Sequence, residues 1–326
     1  MNFTRRQFAA TACAALASPH AFSADYPSKT SRIVVPLGPG NPMDTLGRAL
    51  ATSLGETLGQ PFVVENRPGA AGQIASEGIA KAVGDPHQLL MGSLGIMGIS
   101  PFLYPNLPYD VKRDFTPVAL CAAVPYALVI NPRVVPVNTV AEFLQWARSQ
   151  KTPTPYASVG SGSVSHVCTV ALTNAAGISL TQVAYRQPSQ IVTDMVKGDM
   201  PMIIDTPSPY LPFAADGRLR ILAVTSPRRM SILPNVPTMA EAGVAGYDVV
   251  SWFGLYAPRD LPPASVDTLR THVARALRSP KLREQFLPQG LEITPDGAAD
   301  FAAFNERERT RWQAFIQRNE VKLDKM

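Results

Sequence analysis

The 326-residue chain has few of the residues that bind metals or act as nucleophiles. It contains four histidines and three cysteines. The histidines after residue 24 are His87, His166 and His272, which are too widely separated for a metal site of the His-x-x-x-His type. The Gly-x-Ser-x-Gly motif of hydrolases and the Gly-Lys-Ser/Thr motif of nucleotide-binding proteins are also missing. These absences disfavour an enzyme, and we predict neither a metal ion nor a cofactor.

An excess of charge of one sign is also missing. The chain carries 30 lysines and arginines against 25 aspartates and glutamates. The two signs are interspersed, and no run of basic residues occurs. Nucleic acids and anionic membranes are usually bound through a clustered basic surface. Neither is therefore expected as a partner.

Long apolar segments are absent as well. The longest covers residues 117–130 and contains Pro125. A helix that spans a bilayer needs roughly 20 consecutive apolar residues. We therefore expect no membrane-spanning segment.

The first 24 residues have the composition of a targeting segment rather than of a folded domain. Arg5 and Arg6 precede an alanine-rich apolar stretch, and small residues lie around Ser23 and Ala24. This order is typical of an export signal that is cleaved near Ser23 or Ala24. The two arginines resemble a twin-arginine signal, and an ordinary secretory signal is the alternative. In both cases the mature protein is exported.

Two cysteines remain after removal of this signal. Cys121 lies in a strand-like run and Cys168 in a predicted helix. An oxidising compartment would permit a disulfide, but the geometry that a disulfide requires is not evidently met. We expect two buried thiols, with a disulfide as the alternative.

The strongest pattern in the chain is a strand followed by a glycine-containing loop and a helix. Residues 32–35 form a β-branched strand, and apolar residues recur at helical spacing over residues 45–58. The loop contains Gly38 and Gly40 and places Asp44 at the expected helix N-cap. The first N–H groups of a helix have no internal partner and carry partial positive charge. Such a loop is a candidate anion-binding site.

A second copy of this pattern follows further along the chain. Residues 155–159 read as its strand and residues 167–176 as its helix, with Gly160 and Gly162 in the loop between them. Any α/β protein repeats this order, so the repeat alone is weak evidence. Two similar loops nevertheless predict two similar lobes with a cleft between them.

The remaining chain alternates short strands with helices, which predicts a parallel α/β architecture with ligands at the carboxyl ends of the strands. Two extended runs, residues 116–131 and 251–257, are predicted to cross between the lobes. The first lobe is then discontinuous, with residues 25–122 and 245–326. Residues 123–244 form the second lobe.

Two short runs are the most distinctive segments of the sequence. They are Glu-Asn-Arg-Pro-Gly-Ala at residues 65–70 and Ser-Trp-Phe-Gly at residues 251–254. With them, the chain resembles the Bug family, the periplasmic receptors of tripartite tricarboxylate transporters. The resemblance covers nearly all of the chain after the signal. It implies a type II periplasmic-binding-protein fold, a two-lobed Venus flytrap with two crossover strands.

The resemblance also implies a function. A periplasmic, monomeric receptor would bind a small organic carboxylate between its lobes and deliver it to integral membrane transporter subunits. A sensory module that signals to a membrane partner through the same cleft is an alternative that the sequence does not distinguish. An enzyme that uses the cleft is the least favoured interpretation.

In this family two loops, here residues 38–44 and 158–166, grip carboxylate oxygens through N–H groups, hydroxyls and bridging waters. By analogy, Ser93 and Asp205 line the same cleft. The residues predicted to contact the ligand are Leu37, Pro39, Gly40, Asn41, Asp44, Ser93, Ser158, Ser161, Gly162, Ser163, His166 and Asp205. His166 beside Ser163 also suggests a nucleophile with its base, but a helix-capping cluster is the simpler interpretation.

The first loop departs from the family pattern. The usual run Pro-Phe-x-Pro-Gly-Gly-Gly-Thr-Asp is Pro-Leu-Gly-Pro-Gly-Asn-Pro-Met-Asp at residues 36–44. Pro42 removes an N–H donor, and Leu37 and Met43 add apolar side chains. In the second half of the chain Arg186 replaces a lysine, and it is interpreted either as a further contact to the carboxylate or as a solvated surface residue. These changes predict a ligand with one carboxylate and an apolar end, and poor binding of small aliphatic dicarboxylates.

Overall fold

The computed structural model describes residues 26–185, 187–297 and 299–321. The predicted export signal and Arg186 lie outside these residues. The described strands are β1 Ser31–Val35, β2 Phe62–Asn66, β3 Gln88–Ser93, β4 Phe115–Pro125, β5 Ala127–Ile130, β6 Thr154–Ser158, β7 Leu180–Ala184, β8 Met202–Asp205, β9 Arg220–Val224, β10 Val250–Pro258 and β11 Glu292–Ile293.

Eleven α-helices accompany these strands within the described residues. They are α1 Pro42–Leu58, α2 Gln73–Ala80, α3 Ser100–Leu103, α4 Val111–Asp114, α5 Val140–Ser149, α6 Val164–Ala176, α7 Pro188–Lys197, α8 Leu211–Ala215, α9 Pro263–Leu277, α10 Pro280–Phe286 and α11 Phe301–Arg318. A π-helical turn, Leu94–Ile99, follows β3.

The strands form two mixed sheets. The first sheet has six strands in the order β11-β4-β10-β3-β1-β2, and the second has five in the order β7-β6-β8-β5-β9. In the first sheet β1 runs parallel to β2 and β3, so the loops after these strands emerge at one edge. In the second sheet β6 runs parallel to β7 and β8, and their loops likewise share an edge. The predicted α/β class is confirmed.

The chain passes from the first sheet to the second at Tyr126, between β4 and β5. The predicted extended run over residues 116–131 contains this passage. Tyr126 N–H donates to Thr225 Oγ1 (2.9 Å), and Thr225 N–H donates to the Tyr126 carbonyl (2.8 Å). Val249 N–H donates to the Thr225 carbonyl (3.1 Å), immediately before β10 begins. The outgoing and returning segments are therefore both hydrogen-bonded to Thr225, which follows β9.

One hydrophobic cluster joins the two sheets. It contains Val34 and Leu90 of the first sheet together with Leu128 of the second sheet and Val167 of α6. A second cluster packs α1 and α9 against the first sheet, and a third packs α7 against the second sheet. Each sheet thus has a core of its own and a share in a common core.

Helix α11 is attached to the first sheet by a buried carboxylate. Glu308 Oε2 accepts hydrogen bonds from the indole N–H groups of Trp252 (3.2 Å) and Trp312 (3.0 Å). Trp252 belongs to β10, and its ring lies 6.0 Å from the ring of Phe301 in an edge-to-face contact. Because a buried carboxylate is costly without partners, this pairing ties the helix to one register on the sheet.

Cys121 and Cys168 are both free and buried, which confirms the expectation of two thiols. Burial raises the pKa of the Cys121 thiol to about 12, and burial also raises the pKa of Cys168. Neither thiol is therefore ionised to a significant degree at neutral pH, and both behave as small apolar side chains.

Candidate functional site

The first loop is closed by Asn41, which caps α1. Its Oδ1 accepts the N–H groups of Met43 (2.9 Å) and Asp44 (3.1 Å), and its Nδ2 donates to the Gly38 carbonyl. The prediction that Asp44 is the N-cap is therefore wrong, and the helix begins three residues before the predicted start. The dipeptide Asn-Pro was read as part of the turn, whereas Pro42 occupies the first helical position, which suits proline.

This cap changes what the start of α1 offers to a ligand. Pro42 has no N–H, the next two N–H groups bind Asn41 Oδ1, and Thr45 N–H binds the Asn41 carbonyl (3.0 Å). The free N–H donors that the sequence predicted at this helix start are thus used within the loop. Met43 is 1% exposed and lies in the core of the first sheet, so the prediction that it faces the ligand is wrong.

Asp44 holds the loop from inside. Its carboxylate is only 2% exposed and accepts hydrogen bonds from Gly40 N–H (2.9 Å), Asn66 Nδ2 (2.8 Å) and both Nε (3.1 Å) and Nη2 (3.0 Å) of Arg48. Burial raises the pKa of Asp44, but the hydrogen bonds from Arg48, Gly40 and Asn66 outweigh it and leave the pKa below its usual value. The carboxylate therefore organises the loop.

The exposed part of the first loop consists of Leu37, Pro39 and Gly40. Gly40 has a φ of +85°, which favours glycine, and this conformation turns the chain toward Asn41. Leu37 is 43% exposed. These three predicted residues, together with half-buried Asn41, form the surface that this loop presents.

The second loop is a capping cluster at the start of α6. Ser163 Oγ accepts the His166 N–H (3.3 Å) and lies 3.0 Å from Ser165 Oγ. His166 Nδ1 accepts the Gly162 N–H (3.0 Å), which requires that this ring nitrogen carry no proton. These contacts favour the capping interpretation over a nucleophile and its base. The Ser163 cap does not reach the N–H groups of the first two helical residues.

Gln182 connects the remaining serines of the second loop. Its Nε2 donates to Ser158 Oγ (2.6 Å), and its Oε1 accepts from Ser161 Oγ (3.1 Å). Sequence analysis missed Gln182, and it missed Asn66 and Arg48 in the first loop. For Asn66 a signal was present, because it belongs to the distinctive Glu-Asn-Arg-Pro-Gly-Ala run.

Ser93 lies between the two loops. It ends β3 and precedes the π-helical turn, whose Gly95 faces the start of α6. A Cβ atom built on Gly95 would lie 3.7 Å from Ser93 Oγ and 3.8 Å from Val164 Cγ2. The structure therefore brings a loop of the first sheet against the second glycine-containing loop, with half-buried Ser93 beside the contact.

Asp205 lies at the same edge of the second sheet as the second loop, because β8 runs parallel to β6. It ends β8, where its carboxylate accepts the Thr206 N–H (2.7 Å) and the Tyr210 hydroxyl (3.2 Å). It borders a cavity of about 640 Å³ between α7 and α8 whose wall is mainly apolar, with Val192 and Phe213. Burial raises the pKa of Asp205 to about 6, and the two hydrogen bonds oppose the shift only in part.

The raised pKa of Asp205 gives a pH dependence. Because the folded protein keeps a proton that the unfolded chain releases, the free energy of unfolding should fall as the pH rises from about 4 to about 6. The variant Asp205→Asn cannot titrate at this position. Its free energy of unfolding should therefore rise relative to that of the wild type by on the order of 2 kcal/mol over this interval. Urea denaturation at several pH values measures the difference. Tyr210→Phe removes a hydrogen-bond donor to the carboxylate, so its free energy of unfolding should fall more steeply with pH than that of the wild type. Parallel pH profiles for all three proteins would contradict the prediction.

Two absences hold for the described part of the chain. No three His, Cys, Asp or Glu side chains lie close enough there to hold a metal ion. Among the same residues, no helix has the length and apolar character needed to cross a bilayer.

The sequence matches known proteins over most of its length. Residues 46–321 match the family described as the tripartite tricarboxylate transporter family receptor, TctC. Protein BugT of Bordetella pertussis (strain Tohama I) is 32% identical over 317 residues, which cover 96% of this chain and 95% of BugT. The family match begins just after the first loop and includes the second loop together with strands of both sheets.

The fold matches solved structures of binding proteins. Rpa4515 of R. palustris, determined with adipate, superimposes with a TM-score of 0.84 at 33% identity and covers 92% of this chain and 100% of its own. The periplasmic binding protein BugD superimposes with a TM-score of 0.81 at 29% identity, with coverage of 92% and 100%. The chain therefore belongs to the TctC or Bug family of periplasmic solute-binding receptors, and has the fold of that family.

Proposed function

We propose that the chain is an extracytoplasmic receptor that binds a small organic carboxylate in a cleft between two lobes. The observation that carries the proposal is the contact between the π-helical turn that follows β3 of the first sheet and the start of α6, which follows the second loop. Val164, at the start of α6, faces Gly95 of the first sheet. A helix start with hydroxyls around it attracts a carboxylate through partial positive charge and hydrogen bonds. Adipate in the relative Rpa4515 supports this ligand class.

We propose the contact residues with different roles. Leu37, Pro39, Gly40 and Asn41 would border the ligand on one side, and Ser93 with Ser158, Ser161, Gly162, Ser163 and His166 on the other. Asp44 would act through the loop it organises. Asp205 would contribute from the neighbouring cavity, at the carboxyl end of β8.

We further propose lobes of residues 25–122 with 245–326 and of residues 123–244. The sheets support this division, because β5 to β9 supply the second sheet and the other strands the first. The two passages at Tyr126 and Val249, each hydrogen-bonded to Thr225, would act as the hinge, since few backbone contacts there must change when the lobes move.

The cellular role follows from the family. We infer that the receptor is exported by the signal at residues 1–24, cleaved near Ser23 or Ala24, and acts as a monomer in the periplasm. It would deliver its ligand to integral membrane subunits of a tripartite transporter. We prefer transport over sensing because the description of the family names its members as transporter receptors. An enzyme would consume its ligand, so recovery of unchanged ligand after incubation separates the two classes.

A thermal-shift screen tests the ligand class. The mature protein should bind a carboxylate with a dissociation constant of about micromolar order, and a hundredfold excess over that constant stabilises the fold by about 2.7 kcal/mol. For a chain of this size the melting temperature should rise by several degrees. The panel contains adipate, malate, hexanoate and benzoate, with glucose and calcium as other chemical classes. A shift with glucose or calcium alone would contradict the proposal.

Selectivity is tested with two acids of equal carbon number. Leu37 remains on the surface of the first loop, so hexanoate, with one carboxylate and an apolar end, should bind more tightly than adipate. Leu37→Ala should weaken hexanoate about three- to tenfold, because contact with the apolar chain is lost. Val83→Ala is the matched control, since Val83 is equally exposed (44% against 43%) but lies outside both loops. Tighter binding of adipate by the unmodified protein, measured by calorimetry, would refute this preference.

A further inference from the structure

Asn66 holds the first loop and its helix together. Its Nδ2 donates to the Leu37 carbonyl (3.0 Å) and to Asp44 Oδ1 (2.8 Å), and its Oδ1 accepts from Arg48 Nη2 (3.0 Å). The orientation of the amide is determined by these partners, because a carbonyl and a carboxylate only accept and a guanidinium only donates. One side chain of β2 thus bonds both ends of the loop that follows β1.

Gln182 does the same in the second sheet. Through its two amide atoms it bonds Ser158, at the end of β6, and Ser161, inside the loop. Ser158 Oγ in turn accepts the N–H of Gly160 (3.3 Å), so the contact continues into the loop backbone. The side chain of β7 therefore reaches the loop that follows β6.

The two amides belong to strands that occupy corresponding places in the topology. Asn66 pairs with Val35 in the parallel ladder of β2 with β1, and Gln182 pairs with Tyr156 in that of β7 with β6. Both β2 and β7 are the outer strands of their sheets. A primary amide is uncharged and has a donor group and an acceptor atom side by side, so it can join unlike groups without adding charge beside a bound anion.

We propose that Asn66 and Gln182 are positioning residues that hold the two loops in their binding geometry before the ligand arrives, an inference that rests on the proposed carboxylate function. A loop that is already ordered loses less conformational entropy on binding. If the ordered form is only a fraction of the population, the apparent affinity falls by that fraction. The two residues therefore set affinity without touching the carboxylate.

Hydrogen exchange of the ligand-free mature protein tests the ordering directly. Asn66→Ala and Asn66→Asp both remove the two donated bonds, and Asn66→Asp also places a second carboxylate beside Asp44. Both variants should exchange the Gly40 amide at least about tenfold faster. The Ile33 amide of β1 should stay protected, which separates loosening of the loop from global unfolding. Unchanged exchange at Gly40 would overturn the inference, whatever the protein binds.

The second loop allows a finer comparison. Gln182→Met removes both hydrogen bonds at similar volume and should speed exchange of the Gly160 amide. Gln182→Glu can accept from both serine hydroxyls, so it should restore that protection while its charge weakens anion binding. Gln150→Met is the control, because Gln150 bonds only the end of α5, through Trp146 and Ser149. Equal exchange in the Met and Glu variants at position 182 would contradict the role.

Calorimetry with adipate and hexanoate tests whether the ordering of the two loops affects the binding affinity. Asn66→Ala and Gln182→Met should each weaken the better of the two acids by about tenfold, and Gln150→Met should not. Faster exchange with unchanged affinity would overturn the positioning role. If the unmodified protein binds neither acid, the proposed function fails for this ligand class, and the exchange measurements alone decide whether the two amides order the loops.

Discussion

Replacement of Gly254 by alanine should destabilise the protein by about 2–3 kcal/mol, which is large for a single methyl group. Gly254 lies in β10 beside a register irregularity in the pairing with β4. A Cβ atom at this position would lie 2.2 Å from Cζ and 2.9 Å from Cε1 of Phe301. The Phe301 ring is itself enclosed, at 5.1 Å from the ring of Tyr256 and 6.0 Å from that of Trp252. It therefore has little room to move away.

A double-mutant cycle assigns the cause. Phe301→Leu alone should also destabilise, but Gly254→Ala with Phe301→Leu should cost clearly less than the sum of the single changes, because the smaller side chain admits the new methyl group. Gly38→Ala is the control, since a Cβ atom there meets nothing within 4 Å. Urea denaturation measures the wild type and all four variants. Additive losses would show that the contact with Phe301 does not explain the effect.

Replacement of Asp44 by asparagine should lower the free energy of unfolding by about 2 kcal/mol at pH 7. The same change should also weaken carboxylate binding. The change leaves Arg48 without its ion-pair partner and reduces the number of acceptors for Gly40 and Asn66. Breaking a buried pair at one member usually costs more, but the Arg48 side chain is 52% exposed and water compensates part of the loss.

The loss at Asp44 should depend on pH with a definite sign. The pKa of Asp44 is lowered in the folded state, so its stabilising contribution is present above the usual aspartate pKa and disappears as the pH falls below it. Wild type and Asp44→Asn should thus approach each other in unfolding free energy below about pH 4. Asp216→Asn, which breaks an exposed pair with Arg218, should have a much smaller effect. A constant difference from pH 3 to pH 7 would contradict this account.

Sequence reasoning succeeded where local patterns decide the structure. The predicted strand over residues 32–35 lies within β1, and the predicted helix over residues 167–176 lies within α6. Local chemistry suffices for such features because the interacting residues are at most four positions apart. The order of strands and helices, and with it the fold class, followed from the same patterns.

Sequence reasoning failed where two side chains compete for the same groups, and where the interacting residues lie far apart in the sequence. Asp44 was predicted as a cap because it follows a glycine-rich turn, but Asn41 lies nearer to the turn and takes the N–H groups first. The amides Asn66 and Gln182 reach their loops from neighbouring strands, across 22 positions for Asp44 and 24 for Ser158. A linear pattern does not show which strand lies beside which, so these contacts required the sheet topology.

The sheet order also determines how the chain can fold as it is synthesised. The second sheet is complete once β9 has been made, because its strands come from one continuous stretch. The first sheet is not, since β10 inserts between β3 and β4 and pairs with both. Until residues 250–258 leave the ribosome, β3 and β4 each keep an unpaired edge. Unpaired strand edges can bind the strands of other chains, so a nascent chain at this stage is prone to aggregation. A nascent chain that ends before β10 can therefore form the complete second sheet but only part of the first, which lacks the strand between β3 and β4.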